Sequence, residues 1–158
     1  MKEKFERTLV ILKPDALQRN LLGEIIRRFE HKGLQVVGLK MIQMGDILID
    51  EHYAHHKDKP FFNSLKNFMK SAPAIVMVLS GINAISAVRL LVGPTRGHEA
   101  DAGSIRGDFS LSGQSNIVHA SDSKDTAEAE IKRFFTADEL FDYSKPAELY
   151  IYADEGFK

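Results

Sequence analysis

The sequence predicts an α+β fold in which helices cover one small sheet. Apolar, β-prone runs at residues 8–12, 34–44, 73–80 and 116–120 alternate with helical stripes, in the order β, helix, β, helices, β, helix, β, helix. The run at 73–80 is apolar at successive as well as alternate positions, which predicts burial on both faces and a central place in the sheet. The helical segments are apolar on one stripe only, as covering helices should be. Periodicity leaves the strand order open.

Each element has its own signal. The strand at 8–12 is stopped by Lys13-Pro14, because the residue before a proline avoids helical angles. Leu21, Leu22, Ile25, Ile26 and Phe29 recur at helical spacing, and Gly33 ends that helix. Gly45-Asp46 turns the chain after 34–44, and 46–56 and 61–70 read as short helices separated by Pro60. Ala84, Ala87, Val88 and Leu91 form the stripe of a helix at 83–92. From 93 to 115 the pattern dissolves, with five glycines and no period; an irregular stretch of that length is usually functional. Residues 123–135 form the last predicted helix, and the tail from 145 carries no strong period.

A chain of 158 residues with 44% hydrophobic content suits one domain, residues 1–158, with an ordinary core. Charged residues make up 27% and nearly cancel to a net charge of −1, which argues against a dedicated nucleic-acid binder. The absence of cysteine excludes disulfides, thiolate catalysis and cysteine-based zinc sites. Residues 1–7 mix charges and lack the apolar stretch of a secretory signal. The longest apolar run, 72–79, contains Pro73 and is too short to cross a bilayer. A cytoplasmic protein with no membrane partner is expected.

Neither G-x-x-x-x-G-K-[ST] nor a G-x-G-x-x-G after a strand is present, so side chains must hold any phosphate. Lys13 ends the first strand, and Arg89, Arg96 and Arg106 flank or lie within the irregular stretch. Guanidinium forks match phosphate oxygens, although each cation alone reads as a solvated charge. His119 ends a strand just before Ser121-Asp122-Ser123, a cluster of helix-capping types. In the helix that follows, Glu130 falls on the inward stripe of Ala127, Ile131 and Phe134, where a carboxylate needs a partner. If Glu130 holds one nitrogen of His119, the other is presented in a fixed tautomer, able to act as base or nucleophile. Pattern alone leaves a second reading open, a buried His–Glu bond that only ties the fold. His52, His55 and His56 fall at i, i+3 and i+4 of a helix and read as a solvated face, with Tyr53 and Phe61 as packing aromatics.

The segment Asn116-Ile117-Val118-His119-Ala120-Ser121-Asp122-Ser123 resembles the active-site motif of nucleoside diphosphate kinases. Glu6-Arg7-Thr8 with Lys13-Pro14-Asp15, Glu51-His52-Tyr53, Pro60-Phe61-Phe62 and Ile105-Arg106-Gly107-Asp108-Phe109 resemble that family in order, over nearly the whole chain. The resemblance implies a ferredoxin-like βαββαβ sandwich with an antiparallel sheet and extra helices. It also implies ping-pong transfer of a γ-phosphate from a nucleoside triphosphate to a nucleoside diphosphate through a phosphohistidine on His119. By the same resemblance Glu130 orients that histidine and Ser121 is the hydroxyl beside it. Lys13, Tyr53, Arg89, Thr95, Arg106 and Asn116 hold phosphates and ribose, and Phe61 stacks on the base. Mg2+ arrives on the nucleotide phosphates, with no protein metal site. A homo-oligomer is implied, a hexamer before a tetramer.

Three departures mark this chain. Gly93-Pro94-Thr95-Arg96-Gly97 lacks the family's Asn-Pro, which predicts a looser loop that Gly97→Pro would stiffen. Ala102-Gly103 replaces Pro-Gly ahead of Ser104-Ile105. Gly113 stands where an apolar residue often closes the base site opposite Phe61. The competing expectations are a catalytically weak nucleotide-binding scaffold of the same fold and an RNA-binding module; the latter lacks its aromatic strand motif here.

Overall fold

The computed structural model describes residues 5–152; the charged start at residues 1–4 lies outside them. Four strands, β1 (Phe5–Leu12), β2 (Gln35–Ile42), β3 (Ala74–Ile82) and β4 (Val118–Ala120), form one sheet in the order β2-β3-β1-β4. Every neighbouring pair is antiparallel. The helices are α1 (Pro14–Gln18), α2 (Leu22–His31), α3 (Asp46–His52), α4 (Phe62–Lys70), α5 (Ala84–Val92), α6 (Ile105–Phe109), α7 (Lys124–Phe134) and α8 (Glu148–Ile151).

Alternation along the two central strands builds two cores. Val10, Leu12, Met77 and Leu79 pack under Ile25 and Phe29 of α2 and Val88 of α5. Leu9, Ile11, Val76 and Val78 pack on the other face with Met69 of α4 and Ile131 and Phe134 of α7. Since α2 joins β1 to β2 and α5 joins β3 to β4, the first layer is the ferredoxin-like βαββαβ unit, and α3, α4 and α7 cover the second face. The doubly apolar run at 73–80 is therefore a central strand, as its sequence predicts.

Four features depart from the expectations. The helix from 46 stops at His52, and Ala54–His56 continues as a 3-10 turn. Lys13-Pro14 is a helix start as well as a strand stop: Pro14 opens α1, where its missing N–H costs nothing. The stretch at 93–115 holds the 3-10 turn Gly97–Glu99 and α6, whose Ser104 hydroxyl caps the Gly107 N–H. The described part of the tail carries α8. Among the described residues no helix is long and apolar enough to cross a membrane.

The same alternation aims His119. In the short β4, Val118 and Ala120 enter the first core, so His119, opposite Ile11, points to the α7 side. Ile117 just before it has φ of 73°, unusual for a β-branched residue. Its N–H donates to the Asp15 carboxylate at 3.0 Å, and its carbonyl accepts from Lys13 N–H at 2.8 Å. The start of α1 thus fixes the approach to β4.

Candidate active site

A cavity of about 700 Å³ opens between the end of the sheet, the turn at 53–61 and the irregular segment. His119 lies at its floor, its side chain 22% exposed. Its Nε2 meets Glu130 Oε2 at 2.8 Å, and Ser121 Oγ donates to the same oxygen at 2.9 Å. Ser121 is fully buried, and its hydroxyl also accepts from Leu9 N–H at 3.3 Å. Glu130 is 6% exposed, so the partner its helical spacing demanded exists. A carboxylate accepts only, hence Nε2 of neutral His119 carries the proton and Nδ1 keeps its lone pair.

Cations line the opposite side. Lys13 is buried, and its Nζ donates to Asn116 Oδ1 at 2.7 Å. Burial, reinforced by Arg106 and opposed by Asp15, lowers its pKa to about 8. Arg106 donates to the carbonyls of Gly93, Asn116 and Val118, leaving two of its five N–H donors for a ligand. Burial, followed by the charge of Arg89, lowers it to about 10. Arg89 reaches the Ala120 carbonyl at 3.4 Å. Asn116 spends its amide N–H groups on Thr95 and Gly113 carbonyls at 2.9 and 3.0 Å, tying the irregular segment to Lys13. Thr95 lines the cavity and Arg96 sits at its edge, paired with Glu99.

The aromatics divide by role. Phe62 enters the second core, whereas Phe61 stays 44% exposed at the rim with the His56 ring edge-on at 5.3 Å. Across the rim, a Cβ on Gly113 would meet only Arg96 Cγ at 3.9 Å, so that side of the rim is open. Tyr53 is buried with its ring 6.5 Å from that of His119; burial, then Glu130, pushes its hydroxyl pKa up, so it stays a neutral donor.

Two expectations fail here. His52 is not on a solvated face: it is 5% exposed, edge-on to His119 at 4.7 Å, because α3 ends on it and turns it inward. Only His55 and His56, in the following turn, remain at the surface, and both border the cavity. Gly97 is not a loose link. It is buried, and a Cβ there would lie 2.3 Å from Ser110 O, so glycine is what lets the two strands of the loop touch. Arg133, which no motif or spacing singles out, donates to His52 Nδ1 at 3.2 Å. No spacing rule links residues so far apart.

His52, His119 and Glu130 offer donor atoms within 4.8 Å of one another. Within that cluster a guanidinium occupies one nitrogen of His52, and Glu130 Oε2 is shared by His119 and Ser121. The remaining cavity carboxylate is Asp122, held below the usual range by hydrogen bonds from Thr126 and Ser123 and by Arg89.

The family profile described as nucleoside diphosphate kinase matches residues 6–140. The nucleoside diphosphate kinase of Parabacteroides distasonis is 54% identical over 96% of this chain and 99% of its own length. That of Methanocaldococcus jannaschii is 54% identical over 87% and 98%. The structure of a halophilic nucleoside diphosphate kinase from Halobacterium salinarum in complex with CDP superposes with a TM-score of 0.91 at 44% identity, covering 93% of this chain and 98% of that one. With a profile match across most of its length and relatives above half identity, this chain belongs to the nucleoside diphosphate kinase family.

Proposed function

We propose that this single-domain chain transfers the γ-phosphate of a nucleoside triphosphate to a nucleoside diphosphate, through a phosphohistidine on His119. The observation that carries the reading is the ring held through Nε2 by Glu130, with its second nitrogen free at the floor of a cation-lined cavity. The Nδ1 lone pair attacks the γ-phosphorus as the bond to the bridging oxygen breaks, and that oxygen leaves with the electron pair on the diphosphate. The proton stays on Nε2, donated to Glu130, whose carboxylate offsets the positive charge the phosphorylated ring acquires, and Ser121 keeps that carboxylate aimed. The second half-reaction runs the same step in reverse with a new diphosphate.

Such transfer needs positioning and charge stabilisation more than covalent help from the protein. Lys13, Arg89 and the two free donors of Arg106 hold the phosphates, with Tyr53 and Thr95 as hydroxyl donors. Asn116 acts by keeping Lys13 and the loop in place. Phe61 stacks on the base, and since every base has a π-face, broad base tolerance follows. The CDP bound to the Halobacterium relative supports a nucleoside diphosphate as ligand. Magnesium held by the nucleotide phosphates, with Asp122 beside them, supplies charge neutralisation when bound.

Assembly into a homo-oligomer, a hexamer before a tetramer, belongs to the same proposal. Leu39 and Met41 on the edge strand β2 and Leu111 in the irregular segment are exposed, which supports partner surfaces there. Light scattering that finds a monomer at working concentration contradicts the assembly.

Incubation with ATP and magnesium should give an acid-labile phosphoenzyme that GDP discharges. His119→Ala should abolish both steps. Transfer that survives the substitution would sink the mechanism.

A further inference from the structure

Two imidazoles meet at the site, and they are held in opposite ways. His119 donates a hydrogen bond from its Nε2–H to a carboxylate, whereas His52 accepts one at Nδ1 from a guanidinium. Arginine has donors and no acceptor, so Nδ1 of His52 must present its lone pair and the ring must carry its hydrogen on Nε2. That Nε2 is buried and has no hydrogen-bond partner among the described residues, an arrangement that asks for an explanation in a native fold. Arg133 is itself fixed, with its Nε donating to Glu51 at 3.2 Å and its side chain 19% exposed.

The alternative tautomer shows what is at stake. With the hydrogen on Nδ1, His52 would offer a bare acceptor inside the site, where one of its nitrogens lies within 4.8 Å of the donor atoms of His119 and Glu130. A shift of the two rings toward each other would bring that acceptor within reach of His119. The Nε2 proton of His119 would then have two acceptors, and the ring two orientations, of which one aims Nδ1 at the phosphorus.

We infer that Arg133 is a positioning residue for this transfer: its guanidinium fixes His52 as the Nε2–H tautomer and so keeps His52 from competing with Glu130 for the proton of the His119 ring. The inference rests on His119 being the phosphoryl acceptor. The surroundings agree with a permanently neutral ring. Tyr53 and Phe134 pack edge-on to His52 at 4.6 and 5.1 Å, and burial, followed by the charges of His119 and Arg133, takes its pKa to about 2.

Nitrogen-15 NMR of the imidazoles in the intact enzyme tests the tautomer directly. The result expected is a proton on Nε2 of His52, and a proton on Nδ1 overturns the inference without any variant. Single-turnover phosphorylation by ATP-Mg then tests the consequence. Arg133→Met should slow phosphorylation of His119 by about 3- to 30-fold, less than the hundredfold that a 1 Å misplacement can cost, with nucleotide affinity nearly unchanged. Arg133→Lys, which keeps a donor for Nδ1, should recover most of the rate. In a His52→Phe background Arg133→Met should add no further loss, because the two act as a unit. A full extra loss in that background, or an unchanged rate in Arg133→Met, overturns the inference. Wild-type enzyme phosphorylated elsewhere than His119 would instead defeat the proposed function, so the two failures are distinguishable.

Discussion

The two walls of the cavity are built by different means. The wall carrying His119, Ser121 and Glu130 hangs on regular structure, with β4 paired to β1 and α7 packed on the second core. The facing wall, residues 93–117, is held by side chains bonded to main chain: Arg106 to three carbonyls, Asn116 to two, and the Ser110 hydroxyl to those of Ser112 and Ser115. A periodic wall tolerates any residue that fits its face. A wall made of individual bonds depends on the identity of each residue.

Breaking the regular wall at the Glu130 carboxylate should have the largest effect. Glu130→Ala removes the acceptor that aligns His119 and should slow phosphorylation by about a hundredfold, with a smaller change in nucleotide affinity. Glu130→Gln, which still accepts through its carbonyl oxygen, should retain considerable activity. Unchanged kinetics in the alanine variant would make Glu130 structural only.

The irregular wall is tested by its glycines. Gly97→Ala forces a Cβ against the Ser110 backbone and should cost about 1–3 kcal/mol by thermal unfolding. Gly97→Pro, attractive from sequence as a stiffener, adds the same clash and removes an N–H that donates to Ser112 O at 3.4 Å. Stability equal to the parent would show that the segment has room to give.

The difference between the walls also explains what the sequence could reveal. Helical spacing was enough to turn Glu130 inward, and the double-sided apolar run was enough to centre β3. Phe61 and Phe62 are chemically identical neighbours, and only the fold decides which one enters the core. His52 escapes helical spacing because the helix does not run on to His56; the chain leaves it four residues earlier. Arg106 and Asn116 became candidates through a motif, since bonds from side chain to distant carbonyl leave no period to detect. Arg133 left no signal at all.

The base site lies between the turn at 53–61 and the irregular wall and should respond more weakly. Phe61→Ala should weaken all nucleotides alike, by about 1–3 kcal/mol, in equilibrium binding. A loss confined to one base would mean that hydrogen bonds read the base. Gly113→Val fills open space opposite Phe61 and should tighten binding slightly.

The pH response should be the gentlest. Lys13 has a folded pKa of about 8, below its ordinary 10.5, so the unfolded chain binds more protons between those values. Stability of the nucleotide-free protein should therefore gain from this group as pH rises across that window. Phosphate binding favours charged Lys13, so kcat/KM should fall as pH rises through about 8. Lys13→Met should remove that limb of the profile, and a limb that survives the substitution assigns it to another group.

The central claim is that Glu130 takes one nitrogen of His119 and leaves the other for phosphorus. NMR of the phosphoenzyme, with nitrogen-15 in the histidines and phosphorus-31 from labelled ATP transfer, reads that division atom by atom. Phosphorus coupled to Nδ1 of His119, with a proton retained on Nε2, is the result predicted by the 2.8 Å contact between Nε2 and Glu130. Phosphorus on Nε2, or on any residue other than His119, would contradict it.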